Sequence, residues 1–278
     1  MWSVCNLECA HCYVASSPRN RRLEALSLSE IRPFLSEAER LGVRHIYFTG
    51  GEPFLNSEIM PILAESIRTA PVTVLTNATR PIERHLDELA RLPRDRVTLR
   101  VSLDHFEEAK HDAIRGGGTF ARTAENIREL IRRGLRTIVT STPVVFEDTP
   151  VTREEAIEAY RKLFGEGVEV KIIPFTLRMG AEVERSGPSG PAPFLSERMM
   201  RTARPEDFQC RSSRCVQKVE GRIRVYPCPI IYDDPDYELG ATLTESFGPV
   251  SLGHAACYYF CYKAGGRCGD DRPPLEAF

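Results

Sequence analysis

The chain lacks the features that would tie it to a membrane or to a polyanion. Across its 278 residues, no apolar run reaches the roughly 18 residues that a transmembrane helix needs. Its 37 lysines and arginines nearly balance its 39 aspartates and glutamates, and the net charge of −2 provides no broad field for nucleic acid or a membrane surface. No signal peptide precedes the first cysteine, so we expect a cytoplasmic protein without a nucleic-acid or membrane partner.

Cysteine, by contrast, is abundant. The chain has nine cysteines, an odd number that argues against complete disulfide pairing. Thiols of cytoplasmic proteins stay reduced, so clustered cysteines there usually bind metal or carry out redox chemistry. The first three, Cys5, Cys9 and Cys12, form a C-x3-C-x2-C run. Because a cubane [4Fe–4S] cluster takes one thiolate per iron, this run can hold three irons and leave the fourth open for chemistry. A zinc site made of these cysteines and His11 is the alternative.

Two motifs together resemble the radical S-adenosylmethionine (SAM) enzymes. The first is the cysteine run, in the form C-N-L-x-C-x-H-C-Y, and the second is Thr49-Gly50-Gly51-Glu52-Pro53, which resembles the family's GGEP motif. The resemblance implies an oxidoreductase-type enzyme in a biosynthetic pathway. Such an enzyme binds SAM at the open iron, cleaves it reductively to a 5′-deoxyadenosyl radical and abstracts a substrate hydrogen. His11 and Tyr13 would then cover the cluster rather than ligate it.

The same resemblance identifies candidate residues for SAM binding. In the GGEP motif, Gly50 and Gly51 would leave room for the methionine amino group, because neither residue has a Cβ. Later polar residues resemble the family's strand-end contacts, although a polar loop, a turn and a helix cap are the plain alternatives for them. The complete set is Gly50, Gly51, Glu52, Pro53, Thr76, Asn77, Ser102, Asp104 and Arg115.

The first 184 residues alternate between predicted strands and amphipathic helices. The strands are predicted at 45–49, 72–75, 97–102, 137–143 and 168–174, with a short first strand at 1–4, and the helices at 28–41, 58–69, 82–92, 120–133 and 153–164. This α/β pattern resembles the partial (β/α)6 TIM-like barrel of the family, and a doubly wound open sheet is the alternative. In the barrel, all the motifs above lie at the C-terminal ends of strands, where barrel active sites form.

A Pro- and Gly-rich stretch within 185–205 predicts a linker before a small cysteine-rich domain at 206–278. A hairpin with a turn at Glu220-Gly221, followed by paired cysteines, resembles the SPASM/Twitch domains that carry auxiliary [4Fe–4S] clusters. Six cysteines are too few for two more clusters, so we expect one. Its predicted ligands are Cys210, Cys228, Cys257 and Cys261, while Cys215 or Cys268 could replace one of them, and a structural zinc site is the alternative.

The substrate is the least determined feature. A Twitch-size tail, and the absence of a peptide-recognition domain before the first motif, favour a small molecule such as a sugar, cyclitol or nucleoside. Peptide maturation is the second hypothesis, and a zinc-binding scaffold without enzymatic activity is the third. An external electron donor such as flavodoxin or ferredoxin is implied. His105, Arg178 and Tyr226 are candidates for substrate proton transfer, although surface or packing roles would also explain them.

Overall fold

The centre of the protein is a five-stranded parallel sheet. The computed structural model describes residues 2–142, 151–173, 179–187, 195–232 and 234–263. Each strand pairs with the next one in the sequence, so the order across the sheet is β1 to β5. The strands are β1 (Ile46–Phe48), β2 (Val72–Thr76), β3 (Val97–Ser102), β4 (Arg136–Ser141) and β5 (Glu169–Ile172).

Helices connect these strands and cover one side of the sheet. Within the described residues the helices are α1 (Leu28–Arg40), α2 (Ile59–Thr69), α3 (Arg80–Glu83), α4 (Leu86–Leu89), α5 (Glu108–Arg115), α6 (Thr119–Arg132), α7 (Arg153–Phe164), α8 (Ala181–Ser186) and α9 (Glu197–Thr202). Short 3₁₀ turns occur at Pro53–Leu55, Pro205–Asp207, Gln209–Arg211 and Pro235–Tyr237. No described helix combines the length and apolar character needed to cross a membrane.

The hydrophobic core lies between the sheet and these helices. Alternate strand residues such as Val74, Leu99 and Val139 are fully buried, and they pack with Leu63 of α2 and Ile127 of α6. Because side chains alternate across a strand, the residues between them lie on the opposite side of the sheet. We call that side the inner face.

The sequential strand order excludes the doubly wound alternative, in which the order reverses at a switch point. The predicted strand at 1–4 is reduced to two isolated parallel bridges, Trp2 to Gly50 and Val4 to Ser17. The first bridge places the N-terminal segment in space beside Gly50, just past the C-terminal end of β1. The observed α/β architecture therefore confirms the predicted fold class, with a bridged segment in place of a first strand.

Most predicted elements are confirmed, with differences at their ends. The predicted helix at 82–92 is instead two short helices, α3 and α4. Part of two predicted strands, residue 143 of one and residue 174 of the other, lies outside the described residues. The predicted hairpin is present as β6 (Cys215–Val219) and β7 (Arg222–Tyr226). Its turn residues Glu220 and Gly221 both have positive φ, +49° and +73°, as a two-residue hairpin turn of type I′ requires.

The cysteine-rich region packs against the N-terminal part of the chain. Lys218 on β6 forms an ion pair of 2.7 Å with Glu30 on α1, and its carbonyl oxygen accepts from the amide of Glu24. Leu243 donates its amide to Glu37, also on α1. α8 extends to Ser186, two residues past the predicted boundary at 184, and the division into 1–184, 185–205 and 206–278 stays a prediction.

Candidate active site and auxiliary centre

The three N-terminal cysteines lie on one loop between the bridge at Val4 and the start of α1. Each sulfur accepts a hydrogen bond. Leu7 donates its amide to Cys5 Sγ at 3.4 Å, Ser16 donates its amide to Cys12 Sγ at 3.3 Å, and Arg115 Nη1 contacts Cys9 Sγ at 3.9 Å. Donors aimed at sulfur stabilise thiolates more than thiols, so the loop is arranged for negatively charged sulfur.

Burial opposes that charge. Desolvation, together with the neighbouring cysteines, raises the pKa of Cys5 to about 12 and that of Cys9 to about 11. The iron of a bound cluster would supply further positive charge that favours the thiolates. Among the described residues no three His, Cys, Asp or Glu side chains lie close enough together to hold a single metal ion. The ligands of a cubane bind different irons, and the cysteine loop fits that donor pattern.

The Gly-Gly-Glu-Pro motif packs against the segment that leads into this loop. Gly51 donates its amide to Trp2 at 2.7 Å, and Glu52 donates its amide to Val4 at 2.9 Å. A Cβ on Gly50 would lie 2.1 Å from the carbonyl oxygen of Trp2, and one on Gly51 would lie 1.9 Å from that of Val4. The absence of a Cβ on both glycines therefore also permits close contact with the segment that leads into Cys5. Room for a methionine amino group stays a prediction.

Glu52 orients the strand ends around the loop. Its buried carboxylate accepts from the amides of Phe54 at 3.1 Å and Asn77 at 2.8 Å, and from Thr76 Oγ1 at 2.8 Å. Desolvation raises the pKa of Glu52 to about 7, although these three donors favour the charged form. Pro53 is buried and begins the 3₁₀ turn that follows. Glu52 thereby fixes β2 to the motif after β1.

Asn77 connects β2 to the cysteine loop. Its Nδ2 donates to Asn6 Oδ1 at 3.0 Å and lies 3.6 Å from Cys5 Sγ. Its Oδ1 accepts from both the amide and the hydroxyl of Thr79, and Asn6 in turn donates to Thr79 Oγ1 at 2.8 Å. Of the predicted pair Thr76 and Asn77, Asn77 thus contacts the cysteine loop, and Thr76 donates to Glu52.

Asp104 and Arg115 form a buried ion pair beside Cys9. Arg115 Nε donates to Asp104 Oδ2 at 2.5 Å, and the same oxygen lies 3.1 Å from His11 Nε2. Thr142 Oγ1 donates to the other oxygen at 3.1 Å. Burial alone would raise the pKa of Asp104, but Arg115 and His11 hold it well below its usual value.

Through this pair, the end of β3 contacts the cysteine loop at His11 and Cys9. His11 Nδ1 is buried without a hydrogen-bond partner among the described residues, and the predicted role of His11 in covering the cluster stays a prediction. An unpartnered polar atom at this point fits a group bound over the cysteines.

Some of the other predicted site residues lie at or just after the end of β3, and others lie elsewhere in the chain. Ser102 ends β3 beside Thr140. His105 is buried in the loop after β3, where its Nδ1 accepts from the amide of Glu107 at 2.8 Å. Tyr226 ends β7 and pairs in register with Cys215, within the cysteine-rich region. Arg178 lies outside the described residues. The proton-transfer roles of all three candidates stay predictions.

Four of the C-terminal cysteines line one cavity. They are Cys210, Cys228, Cys257 and Cys261, and the rest of the lining is apolar, including Ile230 and Phe260. Cys257 and Cys261 lie four residues apart on a π-helix, Cys257–Tyr262, a rare conformation that is frequent at functional sites. Burial raises the pKa of Cys228 and of Cys257 to about 12. These four residues are the ligand set that the spacing predicts for an auxiliary cluster.

The two alternative ligands differ from those four. Cys215 is buried at the start of β6, does not line the cavity, and accepts from Gln217 Nε2 at 3.6 Å. Cys268 lies outside the described residues. Which cysteines bind metal stays a prediction.

The two cysteine sets are physically connected. Tyr232, four residues after Cys228, donates its hydroxyl to the carbonyl oxygen of Tyr13 at 3.0 Å. Ala181 donates its amide to the carbonyl oxygen of Cys12 at 2.9 Å, and a Cβ on Gly180 would lie 2.5 Å from that same oxygen.

Sequence patterns gave no signal for Gly180, Thr142 or Tyr232, because none belongs to a motif. Asn6 and His11 belong to the cysteine motif, but only the fold shows which side chains they contact.

The family model of the radical SAM superfamily matches residues 1–160, more than half of the chain. The protein belongs to the radical SAM superfamily. Members of this superfamily use a [4Fe–4S] cluster and SAM, and the loop of Cys5, Cys9 and Cys12 fits that cluster.

Three curated relatives align with the N-terminal half or somewhat more. The antilisterial bacteriocin subtilosin biosynthesis protein AlbA of Bacillus subtilis is 36% identical over 138 residues, 47% of this chain and 29% of AlbA. The mycofactocin maturase MftC of Mycolicibacterium smegmatis is 30% identical over 132 residues, 47% of this chain and 33% of MftC. A GTP 3′,8-cyclase of Rhizobium leguminosarum is 29% identical over 181 residues, 63% of this chain and 50% of the cyclase. The alignments thus span 29–50% of the length of these relatives.

Three solved structures of two proteins share the fold. The structure of anSMEcpe with bound AdoMet superposes with a TM-score of 0.58 at 17% identity, covering 96% of this chain and 81% of that one. Native anSMEcpe with bound AdoMet and the Cp18Cys peptide gives a TM-score of 0.56 over 97% and 82%. Streptococcus suis SuiB bound to S-adenosylmethionine gives 0.52 at 19% identity, over 62% of this chain and 38% of SuiB.

Proposed function

We propose that the protein is a radical SAM enzyme that modifies a peptide. The observation that carries this proposal is the fold match to anSMEcpe, which extends over 97% of the chain and so includes the cysteine-rich region. That neighbour is solved with AdoMet and a peptide, and AlbA and MftC are named for bacteriocin biosynthesis and for maturation. The small-molecule substrate that we expected from the size of the tail has less support than this alternative.

The residues of the strand edge would serve the cofactor. In the superfamily, a cluster together with SAM supplies a 5′-deoxyadenosyl radical that abstracts hydrogen. Here Cys5, Cys9 and Cys12 would ligate that cluster. Arg115 would place a fixed positive charge beside Cys9, and Asn77 would place an amide beside Cys5. His11 would shield the cluster from water.

The cavity of Cys210, Cys228, Cys257 and Cys261 would hold the auxiliary cluster. Four thiolates leave no open iron, so SAM has nowhere to chelate there. The role we propose for this centre is electron transfer during substrate oxidation. An external donor of the flavodoxin or ferredoxin class would supply the electron that SAM cleavage consumes.

A second candidate is chemistry on a nucleotide. It is favoured by the cyclase of Rhizobium leguminosarum, whose alignment of 181 residues extends beyond the 138 and 132 residues shared with AlbA and MftC. A nucleotide would be a small-molecule substrate of the nucleoside class that we expected from the sequence.

The two candidates separate in one anaerobic assay. Reconstituted protein with dithionite and SAM should form 5′-deoxyadenosine and methionine, and a Cys12→Ala variant should form neither. Addition of short peptides encoded beside the gene should increase 5′-deoxyadenosine and change the mass of one peptide, whereas GTP should do neither. A GTP-derived product would favour the second candidate, and equal SAM cleavage by wild type and Cys12→Ala would refute the radical SAM assignment itself.

A further inference from the structure

Arg214 lies in the short segment between two cysteines of the C-terminal set, Cys210 and Cys215. Its Nη1 donates to the carbonyl oxygen of Cys210 and, at 2.8 Å, to that of Ser213, and its Nε donates to the carbonyl oxygen of Ser246 at 3.1 Å. These bonds hold the guanidinium against the backbone of Cys210, one of the four cysteines that line the cavity. The charge of Arg214 therefore has a fixed place beside a predicted cluster ligand.

The hydrogen-bond acceptors of this guanidinium are neutral. Within the part of the chain that the structure describes, Arg214 donates to backbone carbonyl oxygens, contacts the ring of Phe247 and forms no ion pair with a carboxylate. The acid nearest to Cys210 in the sequence, Asp207, is bound to Arg204 through two hydrogen bonds of 2.8 and 2.9 Å. Because an arginine stays charged in proteins, no described acid compensates the positive charge beside Cys210.

Phe247 shields this charge from solvent. Its ring centroid lies 5.7 Å from the guanidinium carbon of Arg214, a cation–π distance. Among the described large apolar side chains Phe247 is the most exposed, at 66%, so core packing does not explain its position. Burial raises the pKa of the Cys210 thiol, and the charge of Arg214 opposes that rise. Since a charge acts more strongly where water is excluded, Phe247 increases the effect of Arg214 on Cys210.

The arginine beside the N-terminal cysteines differs in this respect. Arg115 Nη1 contacts Cys9 Sγ at 3.9 Å, but Asp104 accepts two hydrogen bonds of 2.5 and 3.3 Å from the same guanidinium. The opposite charges of such a pair largely cancel at a neighbouring group. The two cysteine sets therefore lie in different electrostatic surroundings, one beside a neutral pair and the other beside a single cation.

We propose that Arg214 raises the reduction potential of the centre that Cys210 ligates, so that this centre accepts electrons more readily than the N-terminal one. The inference rests on the proposed function, in which the C-terminal centre transfers electrons during substrate oxidation. In that transfer the substrate radical loses one electron and one proton, the centre gains the electron, and an external carrier of the flavodoxin or ferredoxin class removes it. Reduction adds one negative charge, which a nearby cation stabilises, and net charge is among the factors that set cluster potentials.

The test is a redox titration of the anaerobically reconstituted protein, followed by electron paramagnetic resonance. Loss of a signal in Cys12→Ser or in Cys228→Ser assigns each signal to its centre. Arg214→Gln should lower the midpoint potential of the C-terminal centre, so that the ratio of reduced to oxidised centre at a fixed potential falls roughly tenfold, equivalent to about 59 mV for a one-electron couple. The potential of the N-terminal centre should not change.

Arg211→Gln is the matched control, because Arg211 directly follows Cys210 but is exposed, where water and salt screen its charge. It should change neither potential appreciably. Arg214→Lys keeps the charge and should retain most of the wild-type potential. Phe247→Ala should lower the potential of the C-terminal centre by less than Arg214→Gln does, because water then reaches the guanidinium. An unchanged potential in iron-loaded Arg214→Gln, or an equal shift in Arg211→Gln, would overturn the proposal.

Iron content separates loss of the centre from a change in its potential. If Arg214→Gln loses the C-terminal centre, Phe247→Ala decides, and full iron with an unchanged potential would then overturn the proposal. A C-terminal site without a redox-active metal would overturn it together with the electron-transfer role. Peptide modification by a protein whose potential does not depend on Arg214 would refute only this inference. The predicted shift in a protein that leaves peptides unmodified would refute only the proposed function.

Discussion

Asp104 organises more of the candidate site than any single cysteine does. Its carboxylate receives Arg115 and Thr142 as donors and contacts His11, so it joins the end of β3, the end of α5, the end of β4 and the cysteine loop. The carboxylate is fully buried and the side chain of Arg115 is 11% exposed. A buried charge pair of this kind contributes little by its presence, but loss of one partner leaves the other uncompensated.

Asp104→Asn should therefore reduce the free energy of unfolding by about 3–5 kcal/mol, because Arg115 would keep its charge and lose its carboxylate partner. Urea denaturation of the anaerobically reconstituted protein measures this change. Glu129→Gln is the control, since it also converts an acid that pairs with two arginines, Arg132 and Arg133, but on the surface. It should cause little change, and equal effects of the two variants would contradict the buried-pair explanation.

The sequence identified Asp104 and Arg115 as site residues but not as partners. Both were expected to contact SAM, and motif resemblance carries no information about a contact between residues 11 positions apart. Their pairing depends on how the loop after β3 returns along α5. Thr142 and Tyr232 had no signal at all, because a hydroxyl at the end of a strand or in a loop is common in any sequence.

At the scale of elements, the N-terminal segment is held by glycine rather than by a complete strand ladder. Gly51→Ala would place a methyl group 1.9 Å from the carbonyl oxygen of Val4 and displace the chain just before Cys5. Overpacking of this kind costs about 1–3 kcal/mol, and we expect both a lower melting temperature and less iron per chain. In contrast, Gly117→Ala meets no atom within 4 Å and should behave as wild type. Normal iron content in Gly51→Ala would argue against this role.

The loop between β3 and α5 depends on two neutral histidines. His105 accepts from the amide of Glu107, and His111 accepts from the amide of Asp104 at 3.1 Å. Desolvation lowers the pKa of each to about 4, from an ordinary value near 6.5. Between these values the unfolded chain binds more protons than the folded one, so stability falls as the pH falls.

The free energy of unfolding should therefore be smaller at pH 5.5 than at pH 7. A His105→Gln/His111→Gln variant should show a weaker dependence on pH, although it is less stable at pH 7. Urea unfolding at both pH values, with iron content checked at each, measures the difference. An unchanged pH dependence in the double variant would show that other groups cause it.

The positions of the strands were more predictable from the sequence than the point at which a predicted helix is interrupted. The five strands are runs of β-branched and apolar residues with one face in the core, so periodicity locates them. The predicted helix at 82–92 failed because it divides at Arg84, which donates to the carbonyl oxygen of Phe54 at 2.7 Å. Sequence periodicity does not report such a tertiary contact.

For the whole molecule, the decisive question is whether it carries two clusters. Reconstituted wild type should contain roughly eight irons per chain, four for each cubane. Cys12→Ser and Cys228→Ser should each reduce the iron content by about half, because each removes a ligand of a different cluster. Iron and sulfide analysis after anaerobic reconstitution provides the counts, and zinc in place of iron would contradict the prediction.

The auxiliary ligand set can be resolved with the same measurement. Cys210→Ser should lose the second cluster, because Cys210 lines the cavity with Cys228, Cys257 and Cys261. Cys215→Ser should retain it, because Cys215 lies outside that lining. The reverse result would show that Cys215 is a ligand in place of Cys210.

The hydrogen bond from Tyr232 to the carbonyl oxygen of Tyr13 has a consequence for assembly. A cluster that orders the loop of Cys12 also fixes the acceptor for Tyr232, and a cluster that orders the chain after Cys228 also fixes the donor. Each loading event should therefore lower the entropy cost of the other, and we expect the two cofactors to be inserted cooperatively. A population reconstituted with limiting iron would then contain mostly empty and doubly loaded chains, and Tyr232→Phe would increase the singly loaded fraction.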